Sequence, residues 1–259
     1  MSGEEKKRMI FLEETDSTNL ALRRLAAQGA EDGTALWAAR QTAGRGRLGR
    51  SFSSPEGGLY FSLLLRQSED PARDLRLTPA AAVAASKAVE RVCSLRCGVK
   101  WPNDLLCGGK KLCGILCESF FARGTHWVVL GIGINVNTAA FPPELREIAV
   151  SVRQLTGRET PLPALAEALD EELRAAVAAA RLDDPALLAD YRARCVSTGR
   201  RVLLLRGGES RAAFVLGIND DYSLRVRLAD GSVEDLSSGE ISLRDDGERI
   251  RRKKIEIAR

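Results

Sequence analysis

The chain has little histidine, few aromatic residues and no long apolar run. Of its 259 residues one is histidine, His126, and Phe, Trp and Tyr together make up 5%. A single imidazole leaves no obvious nucleophile–base–acid triad and no His-rich metal site. No uninterrupted apolar stretch approaches the roughly 18 to 20 residues that span a bilayer, so no membrane anchorage is expected. The opening residues, Met1 to Arg8, carry charges with no apolar segment behind them, which argues against a secretory signal. The six cysteines do not follow a zinc motif either. Cys93 and Cys97 are spaced C-x3-C, as are Cys113 and Cys117, where zinc sites use C-x2-C. They read as buried free thiols in a reducing, cytoplasmic compartment.

What is present is a composition of 44% hydrophobic and 29% charged residues, enough for a sizeable core in one large domain or two smaller ones. The formal charge of +4 invites a nucleic-acid reading until its location is considered. Residues 249–259 hold six basic side chains and one acidic one, a net +5, so the first 248 residues carry 4 − 5 = −1. A short basic end is either a solvated tail or an arm for an anionic partner.

Periodicity and punctuation predict alternating helices and strands over the first three quarters. Asp16 or Ser17 caps a helix through Leu20, Leu22, Leu25 and Ala26 that closes at Gly29. Thr78-Pro79 opens a second over Ala80 to Val92, with proline at its first helical position. Thr160-Pro161 starts an alanine-rich helix over Ala164 to Arg181, and Asp184-Pro185 a short one ending near Cys195. Leu59 to Leu65 and Trp127 to Val136 read as strands. From Gly199 onward, short apolar runs separated by Gly207-Gly208, Asn219-Asp220-Asp221 and Asp230-Gly231 predict a small antiparallel barrel. The boundary falls near residue 197.

Four segments carry chemistry. Gln41 to Arg50 packs three glycines and three arginines into seven residues, Gly44 to Arg50. It matches G-x-G-x-x-G, but Ser53, Ser54, Pro55, Gly57 and Gly58 follow where the dinucleotide fold needs a helix. It reads better as a loop that orders around anions, with arginine forks for carboxylate or phosphate oxygens, or else as a solvated turn. Lys100-Trp101-Pro102-Asn103-Asp104 and Lys110-Lys111 precede an apolar strand. Lys111 is there either a flanking cation or a fixed charge for a substrate carboxylate. Gly131-Ile132-Gly133-Ile134-Asn135 ends another strand, where asparagine is either turn chemistry or a group that hydrogen-bonds a nucleotide or helps position a metal. Asp16-Ser17-Thr18-Asn19 is either a helix cap or a ligand-binding helix terminus.

In this order, the segments resemble the biotin protein ligases, over residues 16 to 244. The resemblance rests on Asp16 to Asn19, Gln41 to Arg50, Lys100 to Asp104, Lys111-Leu112-Cys113-Gly114-Ile115-Leu116, Gly131 to Asn135 and Leu236 to Arg244. It implies an α/β fold, α+β in detail: a mixed sheet flanked by helices over 1–196, then an SH3-like barrel with its basic tail over 197–259. It implies an enzyme that activates biotin with Mg-ATP as biotinyl-5′-AMP and passes it to a lysine of a biotin carboxyl carrier protein, such as an acetyl-CoA carboxylase subunit. It implies that Arg45, Arg47 and Lys111 are catalytic. Ser17, Thr18, Asn19, Gln41, Gly44, Arg45, Gly46, Arg47, Lys111 and Gly114 would bind biotin. Arg47, Arg50, Phe52, Lys100, Asn103, Ile134 and Asn135 would face the nucleotide, and no metal would have a fixed protein site. Biotin's carboxylate and the α-phosphate repel each other, which suits cationic positioning rather than a protein nucleophile.

Two departures accompany the resemblance. Phe52 stands where many relatives carry tryptophan, and it keeps an aromatic face for adenine. Only 15 residues precede Asp16, which points to the monofunctional type, without the helix-turn-helix domain some relatives carry, and hence to no DNA partner. Homodimerisation stays open. The alternatives are a lipoate ligase, which the arginine loop speaks against, a nucleic-acid binder using the tail and barrel, and an inactive ligand sensor. Lys111→Ala is expected to stop adenylation without harming the fold.

Overall fold

A computed structural model describes residues 9–206 and 209–242. The Gly207-Gly208 turn, Leu243, Arg244 and the basic run 249–259 lie outside the described residues. In chain order the elements are β1 (Ile10–Thr15), α1 (Thr18–Gln28), β2 (Ala35–Gln41), β3 (Leu59–Arg66), α2 (Pro71–Asp74), α3 (Leu77–Cys93), β4 (Gly98–Lys100), β5 (Asp104–Cys107), β6 (Lys110–Ala122) and β7 (Thr125–Ile134). Then come α4 (Pro143–Arg146), α5 (Val152–Thr156), α6 (Leu162–Arg181), α7 (Pro185–Arg194), β8 (Arg201–Arg206), β9 (Glu209–Ile218), β10 (Leu224–Leu228), β11 (Val233–Leu236) and β12 (Glu240–Ser242).

The first seven strands form one sheet in the order β1-β2-β3-β7-β6-β5-β4. Only β1 and β2 run parallel, and α1 is the crossover that parallel pairing requires. The remaining pairs are antiparallel, so the sheet is mixed as expected. Helices cover both faces. α1 packs across β2, β3, β6 and β7 on one side, while α3 and α6 pack on the other. Central β3 shows why its sequence is a continuous apolar run. Leu59, Phe61, Leu63 and Leu65 join the large core under α3 and α6, and Leu64 joins the smaller core under α1 with Leu22, Leu36, Trp127 and Val129. Each such leucine contributes roughly 2 kcal/mol by leaving water. Ser62 interrupts the run on the α1 side and is fully buried.

α3 is buried nearly all round, and Ala80, Ala81, Ala82, Ala84, Ala85 and Ala88 let it lie close against its neighbours. It begins at Leu77, two residues before the expected start, so Pro79 occupies its third position. Proline is tolerated there because the first four amides of a helix have no intrahelical acceptor. α1 ends at Gly29, whose φ of 107° is the left-handed cap that glycine accepts readily. Strands β8 to β12 form the second sheet, antiparallel throughout, in the order β11-β10-β9-β8-β12. Val202, Val215, Leu224 and Val226 join the same core as Trp101 and Leu105, and the Trp101 indole donates to Tyr222 O at 3.1 Å. The barrel is therefore seated on the β4–β5 hairpin.

Candidate active site

The polar segments converge where α1 begins, on the α1 face of the sheet. The loop from Thr42 to Gly58 leaves β2 beside the start of α1. Its backbone is stitched there by Thr42 N to Thr15 O (2.9 Å) and Ala43 N to Asp16 O (2.8 Å). Gly44 is where the loop folds back on itself. A β-carbon at Gly44 would collide with Ser54 and the Phe52 carbonyl, so the close approach requires glycine. Between Arg45 and Ser51 the loop makes a small hairpin, with Leu48 at φ 56° and Gly49 at φ 74°. The floor is β6 and β7, whose glycines 114, 131 and 133 leave room above the sheet.

One cavity is lined from these elements. Ser17, Thr18, Asn19 and Gln41 stand at one end. Arg45, Gly46, Arg47 and Phe52 come from the loop, Asn103 and Lys111 from the far side, and Gly114 from the floor. Each of these was expected at the site. The end near α1 is a hydrogen-bonded network. The Thr18 amide donates to Gln41 Oε1 at 2.8 Å, and Gln41 Nε2 donates to Ser54 Oγ at 2.9 Å. Ser62 Oγ lies 2.7 Å from Asn19 Oδ1 and 2.8 Å from Thr18 Oγ1. Asn19 Nδ2 donates to Glu118 Oε2 at 2.9 Å.

The cations are all engaged. Arg45 pairs with Glu118 at 3.3 Å. Arg47 donates to Asn103 Oδ1 at 3.1 Å and to Gly239 O of the barrel at 3.2 Å. Lys111 Nζ lies 2.6 Å from Asp104 Oδ1 and 5.6 Å from the centre of the Phe52 ring. Among the described residues Asp104 Oδ1 is buried and makes no well-aligned hydrogen bond, so its contact with Lys111 is an ion pair rather than a directed bond. Phe52 covers the floor: a β-carbon on Gly133 would come within 2.6 Å of its ring. Tyr60 closes the side, its hydroxyl donating to Pro55 O at 2.8 Å, and burial pushes its phenol well above the ordinary range. Beneath the α1 terminus, the Arg24 guanidinium holds the Asp16 carboxyl far below the usual carboxylate range.

Five expected residues do not line this cavity. Gly44 serves the loop's fold, as described. Arg50 is exposed on the outer limb of the loop hairpin. Lys100 faces Asp104 across the β4–β5 hairpin, 3.8 Å from its carboxylate, and is not among the residues that line the cavity. Ile134 turns into the core under α3. Asn135 is buried and follows β7 rather than ending it. Its amide donates to Val150 O at 3.2 Å and Lys111 O at 3.4 Å, which fixes the start of β6. Ser62, Glu118, Asp104 and Tyr60 were not anticipated. Ser62 had one signal, as the lone small polar residue inside an apolar strand, whereas Glu118 sits beside Ser119 in β6. Burial makes Cys113 and Cys117 poor nucleophiles, the latter thiol pushed up to about 12. Among the described residues no cluster of three or more His, Cys, Asp or Glu side chains could hold a metal ion.

The family model described as "Biotin/lipoate A/B protein ligase family" matches residues 11–135. The chain is 40% identical over 155 residues to the bifunctional ligase/repressor BirA of Bacillus spizizenii, a match covering 58% of this chain and 48% of that protein. The chain thus spans about half the length of that relative. It is 34% identical over 247 residues to the biotin–[acetyl-CoA-carboxylase] ligase of Mycobacterium tuberculosis, covering 93% of this chain and 90% of that one. Its fold superposes on the Aquifex aeolicus biotin protein ligase, solved in complex with biotin and ATP. The TM-score is 0.79 at 30% identity, over 93% of this chain and 100% of the other. The chain belongs to the biotin protein ligases of the biotin/lipoate A/B protein ligase family.

Proposed function

We propose that the chain joins biotin to ATP as biotinyl-5′-AMP and then transfers biotin to a lysine of a biotin carboxyl carrier protein. The observation that carries this is a cavity with a hydroxyl-and-amide end and a cationic end, lined by no Cys or His. Biotin's ureido ring offers one carbonyl acceptor and two N–H donors, which suits Ser17, Thr18, Asn19 and Gln41. The apolar dithiolane of lipoate would leave those groups unpaired at a cost of about 1–3 kcal/mol each.

In the first step a carboxylate oxygen attacks the α-phosphorus, the bond to the bridging oxygen breaks, and pyrophosphate leaves. Mg²⁺ would enter with ATP as co-substrate and would supply positive charge to offset its phosphates. Lys111 and Arg47 screen the two approaching anions, and Arg45 and Gly46 close the loop over them. Phe52 offers its face to the adenine. In the second step the carrier's uncharged lysine amine attacks the acyl carbon and AMP departs. Lys111 and Arg47 stabilise the leaving phosphate.

In this reading residues 1–196 make up the substrate-binding unit, and from residue 197 the chain supplies a barrel whose Gly239 carbonyl steadies Arg47. The reading includes no DNA or membrane partner. No described helix is long and apolar enough to cross a membrane. Six free cysteines suit a reducing cytoplasm. The test supplies purified chain with biotin, Mg-ATP and an apo carrier domain, and follows pyrophosphate release and carrier mass. Biotin-dependent pyrophosphate and a biotinylated carrier are expected, with lipoate failing to compete. Absence of both products would refute the proposal.

A further inference from the structure

Glu118 stands on β6 opposite Val129, outside the cavity lining, with its side chain 18% exposed. It touches the site at two points. One carboxylate oxygen accepts from Asn19 Nδ2 at 2.9 Å, and the other lies 3.3 Å from Arg45 of the loop. An amide side chain in isolation has two nearly equivalent orientations. A carboxylate can only accept, so it settles which end of Asn19 faces it. Leu116 O pulls the same way at the longer distance of 3.4 Å.

That choice propagates. With Nδ2 facing Glu118, Asn19 Oδ1 faces Ser62, at 2.7 Å. Ser62 Oγ donates both to that oxygen and to Thr18 Oγ1, 2.8 Å away, so its one proton is shared between the two. Thr18 Oγ1 donates in turn to Gln41 Oε1 at 3.1 Å, which also receives the Thr18 amide. Both hydroxyl protons are thus spent inside the network, and the Thr18 oxygen on the cavity lining keeps a lone pair, the polarity that a ligand N–H requires. The same carboxylate holds Arg45, so one residue is tied both to the head-group network and to the loop above it.

We infer that Glu118 is a positioning residue for substrate recognition: its carboxylate sets the donor–acceptor polarity of the Asn19–Ser62–Thr18 relay and seats Arg45 of the loop over it. The inference rests on the proposed function and names how that site selects an N–H-bearing head group. Glu118 touches no reacting atom, so its removal acts on binding of the head group rather than on phosphoryl chemistry.

The experiment measures steady-state adenylation with Glu118→Ala, Glu118→Gln, Ser62→Ala and the double variant Glu118→Ala/Ser62→Ala, alongside thermal melting. Glu118→Ala is expected to raise KM for biotin about tenfold, the size of one lost charge-assisted hydrogen bond, and to leave KM for ATP within about twofold. Glu118→Gln, which keeps an acceptor for Asn19 but loses the charge facing Arg45, should fall between it and the wild type. The double variant should bind biotin about as poorly as the worse single one, because both act through one relay. An unchanged KM for biotin in Glu118→Ala overturns the inference. So does a parallel rise of both KM values with a lowered melting temperature, or a multiplicative double variant. If the wild-type chain itself shows no biotin-dependent pyrophosphate release, the proposed function falls and this inference with it. A working wild type with an indifferent Glu118 removes the inference alone.

Discussion

Gly131→Ala separates the head-group network from the fold. Gly131 lies in the middle of β7, paired with Ser62 and Leu116, in a backbone conformation any residue adopts. A β-carbon there would sit 2.9 Å from Asn19 Cγ and closer still to Oδ1, where ordinary contacts begin at 3.4 Å. Asn19 is 4% exposed and cannot swing into solvent. Its amide must retreat by about 1 Å, which stretches the bonds to Ser62 and Glu118, now 2.7 and 2.9 Å, past useful length. A misplacement of about 1 Å in a positioning group costs on the order of 10²-fold, or about 2.7 kcal/mol. Replacing a strand glycine by alanine recovers about 0.5–1 kcal/mol of backbone entropy, which offsets part of the packing strain. Calorimetric titration should therefore show biotin affinity falling about 10²-fold while the melting temperature stays within a few degrees. Gly217→Ala in the barrel, where a β-carbon would meet nothing within 4 Å, is the control and should bind normally. An affinity for Gly131→Ala within about twofold of wild type would refute the placement of Asn19 at the head group.

Three further outcomes follow from the same contacts. Lys111→Met should abolish adenylation and, because it leaves Asp104 only the 3.8 Å contact with Lys100, cost about 1–3 kcal/mol in urea unfolding. Lys111→Met/Asp104→Asn should recover the stability but not the activity, and a fully stable single variant would show that the pair does not exist. Tyr191→Phe should unfold at the same urea concentration as wild type or slightly higher. Its hydroxyl is fully buried and has no partner among the described residues, so a loss above about 1 kcal/mol would contradict that. Asp16→Asn should be less stable than wild type at pH 7 by roughly 0.2–1 kcal/mol, the range for a solvent-exposed pair. Because the folded-state pKa of Asp16 is depressed by Arg24, the difference is fully present above about pH 4 and shrinks as pH falls below it. Unfolding at pH 7 and pH 3 checks this, and a gap that widens in acid would reverse the assignment.

The sequence was most legible where local chemistry leaves few choices. The Gly29 cap, the capping Asp184, the Asp230-Gly231 turn and the glycine–arginine loop each declared themselves through residue type and spacing. Lys111 and the Ser17–Asn19 terminus could be placed at a site only by their company, since alone each has an ordinary structural role. What could not be read was direction. Asn135 and Asn19 are both asparagines beside glycine-spaced β7, yet one turns its amide to backbone carbonyls and the other toward the cavity. Ser62 and Glu118 escaped notice because their importance comes from what lies across the sheet, at sequence separations that no local pattern records, and Asp104 was named in its motif but given no partner. Strands β1 and β2 were also missed, because their parallel pairing through α1 is a tertiary fact.

The carboxylates of Asp104 and Glu118 give the site a threshold. Lys111 and Arg45 each meet an internal anion before any ligand does. A stray chloride or inorganic phosphate gains little by approaching, because it must displace a tethered competitor and offers nothing else in return. An anion that also fills the hydroxyl-and-amide end and covers the glycine floor brings further contacts to the exchange. Such an arrangement gives up some raw affinity and filters by completeness: the cations are released only to a molecule that engages the whole cavity at once. It also muffles the long-range field of the site, so capture of the acid should depend less on ionic strength than a cavity with bare cations would.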